Sequence, residues 1–300
     1  MAHRQTPRLR AARTSPAMRT LFLLLLVLSG CGPDSTASIS VEAEGPVGFT
    51  QDELNWLGND PQLWRNIWAS KYRTHLSAAV EPAVSRAPFV GAHTVLLVPG
   101  TTIGEEFFAP MAARLRRDGF DVVVWAPPDL FTESLATGAA RIGAKVDELL
   151  ASRQKTRLSV VAECDGGVAA RYYAQVLGGD ARLDQLVTFV SAHHGSSVAP
   201  GGSWFTGWPA LQDVNPNSAL LTRLNSAPFP PGLKLTSLYT CWDEYLWPQS
   251  TSFVPGATNV QYCNHYASHF SGFWDPVVYE RILTALRGEG GPGGGAVEQR

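Results

Sequence analysis

The sequence predicts an α/β fold: a doubly wound, mostly parallel sheet with helices on both faces. Three observations predict it. Continuous apolar, β-branched runs such as "TVLLVPG" from Thr94 and "DVVVWAPP" from Asp121 mark strands buried on both sides, as in a parallel sheet. Helical segments alternate with these runs, which gives β-α-β units and right-handed crossovers. The stretch "SVVAECDGGVAARYY", Ser159 to Tyr173, reads as a strand, a sharp turn and a helix, with Cys164 at the turn.

Taken in order, the elements justify that reading. Thr50 to Glu53 has the form of a capping box, and Leu54, Leu57, Trp64, Ile67 and Trp68 follow at roughly helical spacing. Gly58 and Pro61 interrupt that run, so one or two short helices packed by their tryptophans are expected across a helical extension at residues 48–90. The main domain is expected at 91–287. After the strand at Thr94, the segment from Phe108 ends as a helix at Gly119, a residue suited to a C-cap. A strand at Asp121 and a helix from Ser134 to Arg153 come next, then the strand "RLSVVAEC", a helix to about Leu177 and the strand "QLVTFVSAHHG". Ser196 to Gly232 reads as a long loop, and a connection of that length inside a compact domain is suspected of function. Its Trp204, Phe205 and Trp208 suit a pocket lining, a small cap or packing on the sheet. Strands at "LKLTSLYT" and "NVQY" and a closing helix from Pro276 to Arg287 complete the domain, and residues 288–300 are a Gly-rich tail with a disordered composition.

The chain has 300 residues, 45% hydrophobic and 17% charged, enough to bury a sizeable core. Its 24 Lys and Arg nearly balance its 26 Asp and Glu, but Arg4, Arg8, Arg10, Arg13 and Arg19 all lie in an acid-free leader. Without that leader the charge is about −7, and no basic stripe for nucleic acid is expected. The apolar run "LFLLLLVL" is too short to span a bilayer and suits a signal-peptide core at residues 1–30. It is followed by "LSGC", Leu28 to Cys31, which resembles the lipobox of bacterial lipoproteins; that resemblance implies cleavage before Cys31 and acylation of its thiol. Residues 31–47 then form a tether. Gly32 in place of Asp implies, for a Gram-negative lipoprotein, the outer membrane. In an exported chain Cys241 and Cys263 become a candidate disulfide, once Cys31 and Cys164 are set aside.

The turn at Cys164 has the shape of a nucleophile elbow, G-x-S-x-G, with Ala162 for the first glycine and cysteine for serine. Gly166 and Gly167 stand close behind it, and a helix N-terminus favours an anion. From Val95 to Leu286 the chain resembles bacterial secreted lipases and esterases of the α/β-hydrolase fold. The resemblance is carried by "VLLVPGTT", "FAPMAARLRRDGFDVVVWAPPDL", the elbow with "GGVAARYY", "SAHHGS", "LYTCWDE" and "HFSGFWDPVVYERIL". It implies Cys164 as nucleophile, Asp243 as orienting acid with Glu244 as its lesser substitute, and His269 as base, in the chain order of that fold. His265 is the weaker histidine candidate. The amides of Thr101 and Asp165 are the implied oxyanion hole. Pro99 replaces a family histidine there, which leaves the backbone role of Thr101 intact. His193 and His194 match a supporting segment, and no third ligand stands at zinc spacing, so no metal and no cofactor are expected.

A thiol at this turn is chemically reasonable, because a nearby histidine or helix N-terminus raises its thiolate fraction. Glu163 and Asp165 oppose it, since adjacent carboxylates disfavour both a thiolate and an oxyanion. The expected activity is hydrolysis of small-molecule or lipid carboxylic esters or thioesters through an acyl-enzyme, at a membrane reached by the N-terminal lipid. The rivals are an acyltransferase on the same fold and a lipase-like protein that keeps the pocket only for binding. The acyl chain, the acceptor and the oligomeric state are not encoded in these motifs.

Overall fold

The computed structural model describes residues 60–80 and 93–288. The leader, Cys31, the tether, the Thr50 to Glu53 capping box and the tail from 289 lie outside them. Six strands form one sheet: β1 (Thr94–Val98), β2 (Asp121–Val124), β3 (Leu158–Glu163), β4 (Leu183–Phe189), β5 (Leu235–Thr240) and β6 (Thr258–Tyr262). Their order is β2-β1-β3-β4-β5-β6, and every pairing is parallel. β1 and β3 show why the apolar runs are continuous. Every residue of both strands is buried, so a polar face would have no water to meet. Burying a valine or leucine contributes about 1.5–3 kcal/mol each, and these strands lie at the centre of the core.

Helices cover both faces. One side carries α3 (Ala109–Arg117) and α9 (Pro276–Leu286), tied together by Arg114 Nη1 donating to the Trp274 carbonyl at 2.5 Å and by Tyr279 donating to Asp118. The other side carries α4 (Leu135–Arg153) and α5 (Cys164–Val176). From β1 the chain winds one way to β2 and from β3 the other way to β4, so the carboxyl ends of β1 and β3 flank a topological switch point, where ligands bind in sheets of this kind.

The tryptophan stripe behaves as packing. Asp60 caps α1 (Pro61–Lys71) through bonds from Gln62 N and Leu63 N, Pro61 takes the first helical position, and Trp64 and Trp68 are buried. After α1 comes a single turn, α2 (Arg73–Leu76). Trp68 lies 5.2 Å from Phe270 between ring centroids, and Tyr72 lies 5.0 Å from the same ring. These helices therefore buttress the segment that follows β6.

The segment 196–232 differs from the expected loop. It contains α6 (Ala199–Thr206), α7 (Pro209–Asp213) and α8 (Ala219–Ser226). The sequence of α6, "APGGSWFT", has poor helix propensity, and these short pieces are held by tertiary bonds. Asp213 accepts from Ser134 Oγ at 3.0 Å and Leu135 N at 2.8 Å, while Arg171 of α5 donates to Asn225 at 2.9 Å. Trp204 is exposed rather than packed on the sheet.

Cys241 and Cys263 are disulfide-bonded. The parallel register makes this natural: Thr240 pairs with Tyr262, so the next residue of each chain segment emerges side by side, with Cα atoms 4.9 Å apart. The bond closes a loop of 22 residues in sequence separation, and reducing it is expected to cost about 3 kcal/mol by loop-closure entropy. Urea melts with and without reductant will read this, and an unchanged midpoint would rule out a stabilising bridge.

His193 gives the fold a pH signature. It is fully buried, with Nε2 hydrogen-bonded to Thr188 Oγ1 at 3.0 Å, and burial, then Arg171 and His194, hold it well below 6.5. The folded state keeps it neutral, whereas the unfolded chain takes a proton below about 6.5, so its contribution is full above that pH and declines as pH falls. The thermal midpoint advantage of wild type over His193→Gln should therefore shrink between pH 7.5 and 5. A difference that is constant across that range would contradict this account.

Candidate active site

The elbow forms where β3 runs directly into α5. Cys164, the first residue of α5, has φ of 50°, a left-handed conformation that costs a non-glycine residue about 1–3 kcal/mol. Thr102, Phe131 and Val190 also have positive φ, after β1, β2 and β4, so backbone strain collects at the carboxyl edge of the sheet. Two glycines permit the tight turn. A Cβ at Gly166 would lie 2.2 Å from the Pro99 carbonyl oxygen, and one at Gly100 would lie 2.6 Å from Cys164 Cβ. Ala162, the stand-in for the first glycine of the elbow, is completely buried and pairs with Val98 of β1.

His269 and Asp243 arrive from the segments after β6 and β5. His269 Nδ1 lies 2.8 Å from Asp243 Oδ2, both residues being buried. Asp243 Oδ1 accepts from Tyr245 N and Leu246 N at 2.8 Å each, which fixes the carboxylate before it meets the ring. Glu244 does not replace Asp243; its Oε2 accepts from the His269 backbone amide at 3.0 Å and so positions the histidine. His265 instead lies 2.7 Å from Asp275, the cap of α9. A ring nitrogen of His269 lies within 4.8 Å of Cys164 Sγ, and Nδ1 is engaged by Asp243. The structure thus brings Cys164, Asp243 and His269 to one place.

Thr101 and Asp165 are also neighbours. The Gly100 amide donates to Glu163 Oε2 at 2.8 Å and the Thr102 amide to Leu130 O at 2.9 Å, whereas the intervening Thr101 amide donates no hydrogen bond among the described residues. The Asp165 amide sits in the first turn of α5, where helix amides have no partner within the helix. Thr101 Oγ1 lies 2.5 Å from Asp165 Oδ2 and 2.9 Å from the Phe131 carbonyl, so side chains brace the two amide-bearing residues against each other.

No family model matches this sequence, and no curated protein sequence matches it either. Solved structures do. Aspergillus fumigatus lipase B superposes with a TM-score of 0.58 at 18% identity over 72% of this chain, which spans 59% of that lipase. The mature form of a Bacillus licheniformis lipase gives 0.54 at 14% identity, covering 68% of this chain and 96% of the lipase. A metagenomic carboxyl esterase gives 0.53 at 15% identity, covering 88% and 98%. The fold is the α/β-hydrolase fold.

Within this α/β-hydrolase fold the thiol, the imidazole and Asp165 are all shifted from their ordinary values. Burial pushes the Cys164 thiol up, and the Asp165 carboxylate pushes it further, against the pull of His269. Cys164 as a residue is nevertheless only partly covered. Burial opposes the His269 imidazolium, but Asp243 outweighs it by charge and hydrogen bond and holds the ring well above 6.5. A Cys164 thiolate would raise it further, yet the upward shift of the thiol keeps that sulfur protonated at neutral pH, so Asp243 is the cause that stands. Burial lifts Asp165 to about 6, with Glu163 adding and Thr101 opposing. Glu163 is the residue that sequence reasoning placed only as a flanking acid. It is fully buried, and its Oε1 lies 3.2 Å from His269 Nε2 without forming a hydrogen bond. The arrangement can deliver a thiol to an electrophile, move its proton to Nε2 when His269 is in its neutral form, and hold a developing oxyanion on two amides.

Proposed function

We propose that this chain is an exported, lipid-anchored hydrolase of carboxylic esters or thioesters that works through an acyl-enzyme on Cys164. One observation carries the reading: a strained residue with a thiol at the β3-α5 elbow stands beside a buried histidine whose other nitrogen is 2.8 Å from a fixed carboxylate. In the first step, taken by the fraction of the chain whose His269 is neutral, the Cys164 proton passes to His269 Nε2 as the sulfur attacks the acyl carbon. The carbonyl oxygen becomes an anion held by the Thr101 and Asp165 amides, each such donor being worth about 3 kcal/mol in the transition state. Collapse expels the alcohol or thiol, which takes the proton from Nε2. Water, deprotonated by His269, then attacks the thioester and releases the acid. Trp242 and Tyr266, both exposed with ring centroids 5.6 Å apart, lie close in sequence to Asp243 and His269 and suit an apolar acyl chain.

The reading is tested by mixing the chain with p-nitrophenyl butyrate and locating the acyl mass by peptide mapping. Acylation of Cys164 is expected, and acylation elsewhere or nowhere would overturn it. Export rests on Leu28 to Cys31, and intact mass of membrane-extracted chain should begin at acylated Cys31. A binding protein that retains the pocket is the second reading, favoured by the Glu163 carboxylate beside His269. It requires that the wild type be inert toward every activated ester and thioester while still binding acyl compounds.

A further inference from the structure

We propose that Glu163, Cys164 and His269 together form a binding site for a thiophilic divalent cation of the zinc type, and that filling it holds the nucleophile out of action. Cation binding does not depend on the hydrolase reading; the inhibition does.

The donor atoms come first. Glu163 carboxylate oxygen, Cys164 Sγ and His269 ring nitrogen all lie within 4.8 Å of one another. Zinc bound at 2.0–2.3 Å in a tetrahedron separates its ligands by about 3.3–3.8 Å. Glu163 Oε1 and His269 Nε2 are already 3.2 Å apart, and Cys164 Sγ, within 4.8 Å of its two partner donors, is the third atom of the set. Each donor is also prepared. Glu163 is fully buried, its Oε2 is anchored by the Gly100 amide, and its Oε1 has no hydrogen bond among the described residues. A buried carboxylate oxygen left without a hydrogen bond is destabilising, and a cation would relieve that cost. His269 uses Nδ1 on Asp243, which turns Nε2 toward the site in the carboxylate-histidine-metal arrangement that metal centres use.

The charge balance points the same way. Four carboxylates, Glu163, Asp165, Asp243 and Glu244, crowd around the imidazole of His269, and among the described residues no lysine or arginine pairs with any of them. A dication would take the place of the Nε2 and Sγ protons, keeping the positive charge among these carboxylates while giving Glu163 Oε1 a partner. Thiolate, imidazole and carboxylate together favour zinc or cobalt over magnesium or calcium, which prefer all-oxygen sites. Cys164 is only partly covered, so solvent would supply water as the fourth ligand. On binding, the Cys164 proton and any proton on Nε2 go to solvent, and the sulfur and nitrogen lone pairs bond to the ion. Neither is then free to attack or to accept a proton. The sequence hides this site because Glu163 and His269 are far apart in the chain, with none of the short ligand spacings of zinc motifs.

The experiment uses the full chain stripped with a chelator and titrated with cobalt chloride. A thiolate-to-cobalt absorption band in the near ultraviolet, saturating at one equivalent, is expected in wild type. Cys164→Ser should lose the band, and Glu163→Gln, which keeps an acceptor for Gly100, should weaken binding at least tenfold with unchanged circular dichroism. Zinc chloride should displace cobalt and stop ester turnover at the same midpoint, with recovery on chelation. Absence of the band in wild type, its persistence in Cys164→Ser, or undiminished affinity in folded Glu163→Gln would overturn the cation site while leaving the hydrolase reading standing. A band with no turnover at any zinc level would keep the cation site and remove the hydrolase reading.

Discussion

Cys164→Ala is expected to abolish turnover of short p-nitrophenyl esters and acyl thioesters while leaving the circular dichroism spectrum unchanged. The substitution removes only Sγ from a residue whose backbone is fixed by β3 pairing on one side and α5 on the other, so the fold has little reason to respond. Without the sulfur there is no acyl-enzyme, and what remains is whatever the two amides and the pocket give to direct attack by water. His269→Ala should slow acylation by about 10²–10⁴-fold, the usual worth of a general base. Iodoacetamide should reproduce the Cys164→Ala result in wild type. Wild-type turnover in Cys164→Ala would remove the thiol from the mechanism. An inert wild type with an active Cys164→Ser would mean that the elbow is competent but the native thiol, raised by burial and Asp165, is not its working nucleophile for these esters.

The legible parts of this molecule are those fixed by short-range patterns. "TVLLV" reads as a central strand because both faces of β1 are buried, and the turn after Glu163 reads as an elbow because only small residues fit behind it. The order of Cys164, Asp243 and His269 was readable from a resemblance, and the contact between the last two depends on strand order that the sequence does not display. What stayed hidden depends on tertiary contacts. The helix at Ala219 begins with Ser218 accepting from Leu221 N at 3.1 Å, a cap lost to view inside a Gly- and Pro-rich stretch. Glu163 reads from sequence as a charge beside the nucleophile; its bond to the Gly100 amide and its contact with His269 link three separate strand ends, and no local spacing encodes them. Likewise Glu244 reads as a spare acid, whereas it holds the His269 backbone.

Gly166→Ala is expected to cost turnover about 10²–10³-fold, the loss that follows removal of one oxyanion donor. On helix propensity alone the change should help, since alanine inside a helix is favoured over glycine by about 1 kcal/mol. Packing decides otherwise. The new Cβ would lie 2.2 Å from the Pro99 oxygen and 3.0 Å from its carbonyl carbon, both backbone atoms that cannot rotate away. Either β1's trailing loop or the first turn of α5 must shift, and overpacking of this kind costs about 1–3 kcal/mol, more than the propensity gain. The same shift separates Thr101, two residues after Pro99, from Asp165, one residue before Gly166, and so parts the two amides that would share the oxyanion. Substrate binding away from the elbow is untouched, so the loss should fall on kcat with little change in KM. Gly232→Ala, with nothing within 4 Å of its Cβ position, serves as the control and should match wild type in both turnover and melting. A Gly166→Ala enzyme with wild-type kcat would show that the loop after β1 yields freely and that the Thr101 amide is not part of the transition-state site.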